Sequence, residues 1–163
     1  IEACRSEVGS DFPIILRWSQ WKQQDFTARL ASTPQLLEAF LQPLIDAGVD
    51  AFHCSQRRFW EPEFDDSDMN LAGWVKKLTG MPTITVGSVS LDQDFVSQPS
   101  EGDGATSEPA SIDRLLEMMD RGDFDLVAVG RALIANPDWP KVVRSGDTAG
   151  LQAFNKDLLA ELA

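Results

Sequence analysis

Residues Phe124–Trp139 read FDLVAVGRALIANPDW. Leu126 to Val129 is an apolar run of strand character that ends in Gly130-Arg131, and a short amphipathic run follows at once. Glycine after a strand lets backbone N–H groups come close to a ligand, because no side chain intervenes. The arginine beside it is a permanently charged, forked donor. The N–H groups opening the next helix are unpaired and lie at the positive end of its dipole. Together these parts make a site for phosphate or another anion. The bland alternative is that Gly130 turns the chain and Arg131 is a solvated helix start, and spacing alone leaves both open.

Outward from this stretch the same unit recurs four times. Pro13–Ser19 (PIILRWS) reads as a buried strand, apolar until Arg17. Thr33-Pro34 pairs an N-cap with proline at the first helical position, and Leu36, Leu37, Phe40, Leu41 and Leu44 then line one face up to Gly48. Pro43 falls inside that helix and is expected to kink it. Val49–Ser55 is the second strand. After the aromatic and charged loop Arg57–Phe64, a helix from about Asn70 carries Leu71, Trp74, Val75 and Leu78 and closes at Gly80. Pro82–Val86 (PTITV) is the third strand and runs into Gly87-Ser88.

Ser111 then caps a helix bearing Ile112, Leu115, Leu116 and Met119, closed by Gly122. Leu151, Phe154, Leu158, Leu159 and Leu162 predict a closing amphipathic helix. Residues 97–110 (SQPSEGDGATSEPA) are rich in Ser, Gly, Pro and acid, and are expected to form a mobile surface loop with nothing to bury. At the other end Ile1, Cys4 and Val8 suit the tail of a helix stopped by Gly9. With no initiator Met, the expectation is a piece of something longer.

Four strand–helix units imply an α/β protein with a parallel sheet and right-handed crossovers. An open doubly wound sheet normally has five strands and a ligand at a switch point. A complete (β/α)₈ barrel needs roughly 200 residues or more, and this chain has 163. Residues 1–163 therefore read as a single half-barrel segment. Its two long edges would be unpaired, which soluble proteins avoid, so a missing half or a second copy is expected to cover them.

A net charge of −12 argues against a nucleic-acid partner and against an anionic membrane surface. No apolar run approaches the roughly 18 residues of a membrane span. Cys4 and Cys54 form no metal or disulfide spacing, so a cytoplasmic setting is the default expectation.

In such barrels ligands sit at the C-terminal ends of the strands, and phosphates favour the last two loops. Here those ends supply Arg17, Trp18 and Ser19; Cys54 and Ser55; Gly87 and Ser88; Gly130 and Arg131. Arg17 closes an apolar strand, which is costly unless it meets a partner; a salt bridge and a ligand serve equally. Core or interface packing is the ordinary use of aromatics such as Phe59 and Trp60. His53 reads as a hydrogen-bonded structural residue. Cys54, without a neighbouring base, reads as core.

PIILRWSQW, GVDAFHCS, PTITVGSVS and FDLVAVGRALIANPDW, in that order and spacing, resemble the second half of the old yellow enzyme family, the FMN-dependent NADH:flavin oxidoreductases and oxophytodienoate reductases. The resemblance covers essentially residues 1–150. It implies strands five to eight of a TIM (β/α)₈ barrel, FMN as cofactor, NAD(P)H as reductant and an enone-type small-molecule substrate. It matches Arg17 to an arginine beside the flavin ring. Gly87, Ser88, Gly130 and Arg131 match the holders of the FMN phosphate, and Phe59 and Trp60 fall near the flavin edge or substrate mouth. The family's proton-donating Tyr and its substrate-orienting pair belong to the first half, and this chain contains no tyrosine. The segment alone is thus expected to be inactive, with the N-terminal half of the barrel, or a second copy, as its partner. Two other readings remain: a non-catalytic half-barrel module for a phosphorylated ligand, and a different phosphate-binding barrel enzyme, an isomerase or lyase. The latter needs a catalytic Lys or acid at a strand end, where only arginine stands.

Overall fold

The computed structural model describes residues 1–22, 24–93 and 106–160. Helix α1 spans Glu2–Val8, strand β1 Ile15–Trp18, α2 Pro34–Asp46, β2 Ala51–Ser55, α3 Leu71–Thr79 and β3 Thr83–Val86. Helix α4 spans Asp113–Asp120, β4 Leu126–Val127, α5 Arg131–Ala135 and α6 Trp139–Ser145, and a single 3₁₀ turn covers Lys156–Leu159. The strands form one sheet in the order β1-β2-β3-β4, every pair parallel. An open doubly wound sheet reverses its order at a switch point; among the described strands there is no reversal. The unreversed order is that of a barrel segment, and the four described units amount to half of its eight.

The caps explain the boundaries. The Thr33 hydroxyl accepts from Leu36 N at 3.3 Å, and Pro34 opens α2, which continues through Pro43 to Asp46. Asn70 Oδ1 accepts from Gly73 N at 2.9 Å, and Gly80 ends α3 in the left-handed conformation. Ser111 Oγ accepts from Asp113 N at 3.0 Å, two residues ahead of the start of α4.

Side chains alternate across the sheet. Phe52 and Cys54 of β2 are fully buried among Leu37, Leu41, Leu71, Ala72, Val75, Leu115 and Met118 from the helices, with Leu16 and Trp18 packed against them. Strand register places Arg17, His53, Ile84 and Leu126 in one row on the opposite face. That face is open: Ile15 is 53% exposed and Leu126 57%.

Ion pairs fasten the periphery. Arg5 reaches from α1 to the carbonyls of Gly9, Phe12 and Gly48 and to the Asp50 carboxylate, which also accepts from Ile14 N. Arg121 joins Asp68 to the buried Asp123.

Several expectations need correction. The strand expected to reach Val129 is paired only at Leu126 and Val127, although Ala128 N still donates to Thr85 O at 2.8 Å. The closing helix is reduced to the turn at Lys156–Leu159, because Phe154 is drawn into a two-residue bridge with Ser107; Leu162 lies outside the described residues. The expected mobile loop lies outside them as far as residue 105. Its last residues are pinned: Ser107 is fully buried and Pro109 bridges to Leu91.

Candidate functional site

The loops at the C-terminal strand ends surround a cavity of about 360 Å³, within the range of small-molecule sites. Its wall includes Arg17 and Ser55 from β1 and β2, Gly87 and Ser88 after β3, and Gly130 and Arg131 after β4. Six residues spread over more than a hundred positions thus meet at one rim.

The turn after β3 is conformationally unusual. Gly87 has φ 132°, and Ser88 and Ser90 also have positive φ, 50° and 61°. Few non-glycine residues occupy that region, and such outliers cluster at ligand clamps. Gly87 is required for a second reason. A Cβ there would stand 2.6 Å from Gln56 O and 3.0 Å from the Arg57 carbonyl, both backbone atoms. The turn is therefore pressed against the loop after β2, and Gly87 O accepts from Phe59 N at 3.0 Å. Gly130 is the contrast, since a Cβ added to it meets nothing within 4 Å.

Arg131 is oriented from several sides. Its Nη1 donates to Ser107 Oγ at 2.8 Å, and its Nη2 donates to Gln93 O at 2.8 Å and Ser88 Oγ at 3.4 Å. The guanidinium also lies 5.7 Å from the centre of the Phe154 ring. The helix that follows has only five residues, so its dipole adds little and the positive charge of this corner resides in Arg131 itself.

Arg17 is exposed, donates to Ser55 Oγ at 3.4 Å and makes no ion pair among the described residues. The salt-bridge alternative therefore has no partner there. Next to it in the row, His53 has its pKa lowered, first by burial and then by Arg17. Its Nε2 is buried without a hydrogen-bond partner among the described residues, contrary to the expected bonded structural role. Cys54 is core as expected, fully buried with its thiol pKa pushed up mainly by burial.

Phe59 is not at the mouth of the cavity. It is 2% exposed within the core, edge-on to Trp60 at 5.0 Å, and neither ring belongs to the cavity wall. Asn70 Nδ2 donating to Phe59 O at 2.9 Å fixes that loop to α3. Packing is the use the structure shows for both aromatics.

Sequence reasoning missed Glu63. It lines a smaller adjoining cavity that shares Trp21, Ser55, Gln56 and Arg57 with the first. The side chain is nearly buried, accepts from Gln20 Nε2 at 3.0 Å and stands 3.8 Å from Arg29 Nε. Burial raises its pKa to about 7, against the opposing pull of Arg29 and Gln20. An acid embedded in the aromatic loop RRFWEPEF was the available signal. Among the described residues no cluster of ligating side chains suits a metal, and no helix is long and apolar enough to cross a membrane.

No protein-family profile matches the chain. The sequence is 28% identical over 154 residues to an NADH oxidase of Thermoanaerobacter brockii, spanning 90% of this chain and 20% of that protein. The fold matches morphinone reductase with a TM-score of 0.56 at 18% identity, over 95% of this chain and 34% of that one. It also matches the old yellow enzyme homologue from Zymomonas mobilis with a TM-score of 0.52 at 13% identity, over 91% and 38% respectively. The class is thus an α/β chain of parallel units, part of a TIM-type barrel, and the relatives named are oxidoreductases. The chain is similar in fold to members of the old yellow enzyme family, and spans between a fifth and two fifths of the length of these relatives.

Proposed function

We propose that this chain is the phosphate-holding half of an FMN-dependent oxidoreductase that reduces activated alkenes of the enone type with NAD(P)H. One observation carries the reading: Arg17, Gly87, Ser88, Gly130 and Arg131 line a single cavity at the rim where barrels of this type bind phosphates. The cavity fits such a ligand. It has a cation at the β4 end, open space over Gly130 and a second cation on β1. Bound FMN would supply hydride transfer from NAD(P)H to the alkene β-carbon. The chain's own groups bind and orient. Arg131 and the Gly87-Ser88 and Gly130 corners grip the dianion, while Arg17 places a fixed positive charge beside the ring.

The open sheet face supports the need for a partner. Ile15 and Leu126, more than half exposed, stand on the side that a closed barrel buries. The rest of the barrel, from the same parent chain or a companion, would cover them and supply a proton donor; a second copy could cover the same face. The chain alone is expected to show no enone reduction with FMN and NADPH. The decisive measurement is flavin binding followed by fluorescence quenching. The expected result is tighter binding of FMN than of riboflavin, with the preference abolished in Arg131→Gln. Equal affinity for the two flavins would refute the phosphate reading.

A further inference from the structure

Ser107 and Phe154 stand behind the cavity wall, yet both touch Arg131, a cation at its phosphate end. Ser107 Oγ accepts from Arg131 Nη1 at 2.8 Å, and the Phe154 ring centre lies 5.7 Å from the guanidinium. The two residues are themselves locked together. Ser107 N donates to Phe154 O at 2.9 Å, and Phe154 N donates to Ser107 O at 2.9 Å. Both are buried, Ser107 completely and Phe154 to within 1%. Neither is part of a strand or helix.

We propose that Ser107 and Phe154 are positioning residues, a clasp of two converging segments that fixes the Arg131 guanidinium in its phosphate-binding orientation. This rests on the reading of the cavity as a flavin-phosphate site. Arginine is a long side chain with many rotamers, and a clamp that must be ordered on binding loses affinity to that ordering. Here part of the ordering is built in. Ser107 Oγ, Ser88 Oγ and Gln93 O are neutral acceptors, so they orient the fork without supplying negative charge that would compete with a ligand. The Phe154 face adds a surface that favours a cation over it and limits its swing. Ser107 lies in the segment that composition marks as featureless, and Phe154 in the tail beyond the last (β/α) unit. The clasp therefore gives both segments a task in the binding site.

The test compares FMN with riboflavin binding in Ser107→Ala. Losing one hydrogen bond to a charged group should weaken FMN binding about ten-fold. Riboflavin binding and the melting temperature should stay near those of the parent chain. In the Arg131→Gln background the same substitution should have no further effect on FMN, since Ser107 acts only through Arg131. Phe154→Leu, which keeps the burial but removes the aromatic face, is a second arm, with a smaller loss confined to FMN. Equal losses for both flavins, or an undiminished Ser107→Ala effect without Arg131, would reduce the pair to general structural support and overturn the proposal. An unchanged FMN affinity in Ser107→Ala would overturn it with the phosphate site intact. Failure of the parent chain to prefer FMN needs no variant to detect; it would remove the phosphate site and this inference with it.

Discussion

Gly87→Ala should unfold the protein at markedly lower temperature and denaturant concentration. At φ 132° an L residue sits in a sparsely populated region, which costs about 1–3 kcal/mol. The added methyl would also lie 2.6 Å from Gln56 O and 3.0 Å from Arg57 C and O. Those are backbone atoms, so relief requires the loop after β2 to move, and overpacking of this kind costs roughly a further 1–3 kcal/mol. For a chain of this size each kcal/mol lowers the melting temperature by about 2–4 °C, so a drop on the order of 10 °C is expected. Gly146→Ala is the internal control. Its φ is 77°, but an added Cβ meets nothing within 4 Å, so only the conformational penalty of about 1–2 kcal/mol remains. Urea titrations of the two variants against the parent measure both. If Gly87→Ala is no less stable than Gly146→Ala, the contact between the two loops is not as described, and the rigid wall of the cavity loses its support.

Other outcomes follow from the charges. Arg17→Gln should change stability by no more than about 0.5 kcal/mol, because Arg17 is exposed and its described bond is long; FMN and riboflavin binding should weaken alike. In the same variant the single imidazole signal of His53, followed by NMR, should titrate at higher pH than in the parent, though still below the ordinary range because burial is the larger cause. Glu63 holds its proton in the folded state up to about pH 7 and loses it near 4.5 when unfolded. Its contribution is therefore fully present below 4.5 and lost as pH rises to about 7, and Glu63→Gln should flatten this fall and gain on the order of 3 kcal/mol at pH 8 by urea unfolding. A variant as pH-sensitive as the parent would refute that assignment. Arg5→Ala should accelerate amide exchange in α1 while leaving β2 and β3 protected, because its bonds tie residues 9–12 to Gly48 and Asp50.

The repeat of strand and helix was legible wherever local rules act alone. Thr33-Pro34, Asn70 and Gly80 carry their own capping chemistry, and α2 and α3 begin and end where those residues require. The rim was legible too, since parallel strands bring their C-terminal ends to one side whatever lies between them. What escaped depends on contacts distant in sequence. The periodicity of Leu151, Phe154 and Leu158 is used for burial, but on an irregular backbone, because pairing with Ser107 competes with the helix. The resemblance put Phe59 near the cavity mouth, and the approach of Gly87 and Asn70, distant in sequence, is what holds it in the core. Helix α6 went unread because its apolar contribution is little more than Trp139 and Val143, too few for a period. The acidity of Glu63 is likewise a property of its burial and cannot be read from spacing.

The monotonic strand order also dictates the geometry of any assembly. The sheet ends in two unlike margins, β1 with its outward guanidinium and the two-residue β4. An identical subunit that extends the parallel sheet at β1 presents its own β4, so each strand junction joins unlike margins. Such a junction must close into a ring or propagate into a fibre. Two such junctions related by a dyad, one on each side of a pair of half-shells, would satisfy every described margin, whereas a single junction leaves one β1 and one β4 open.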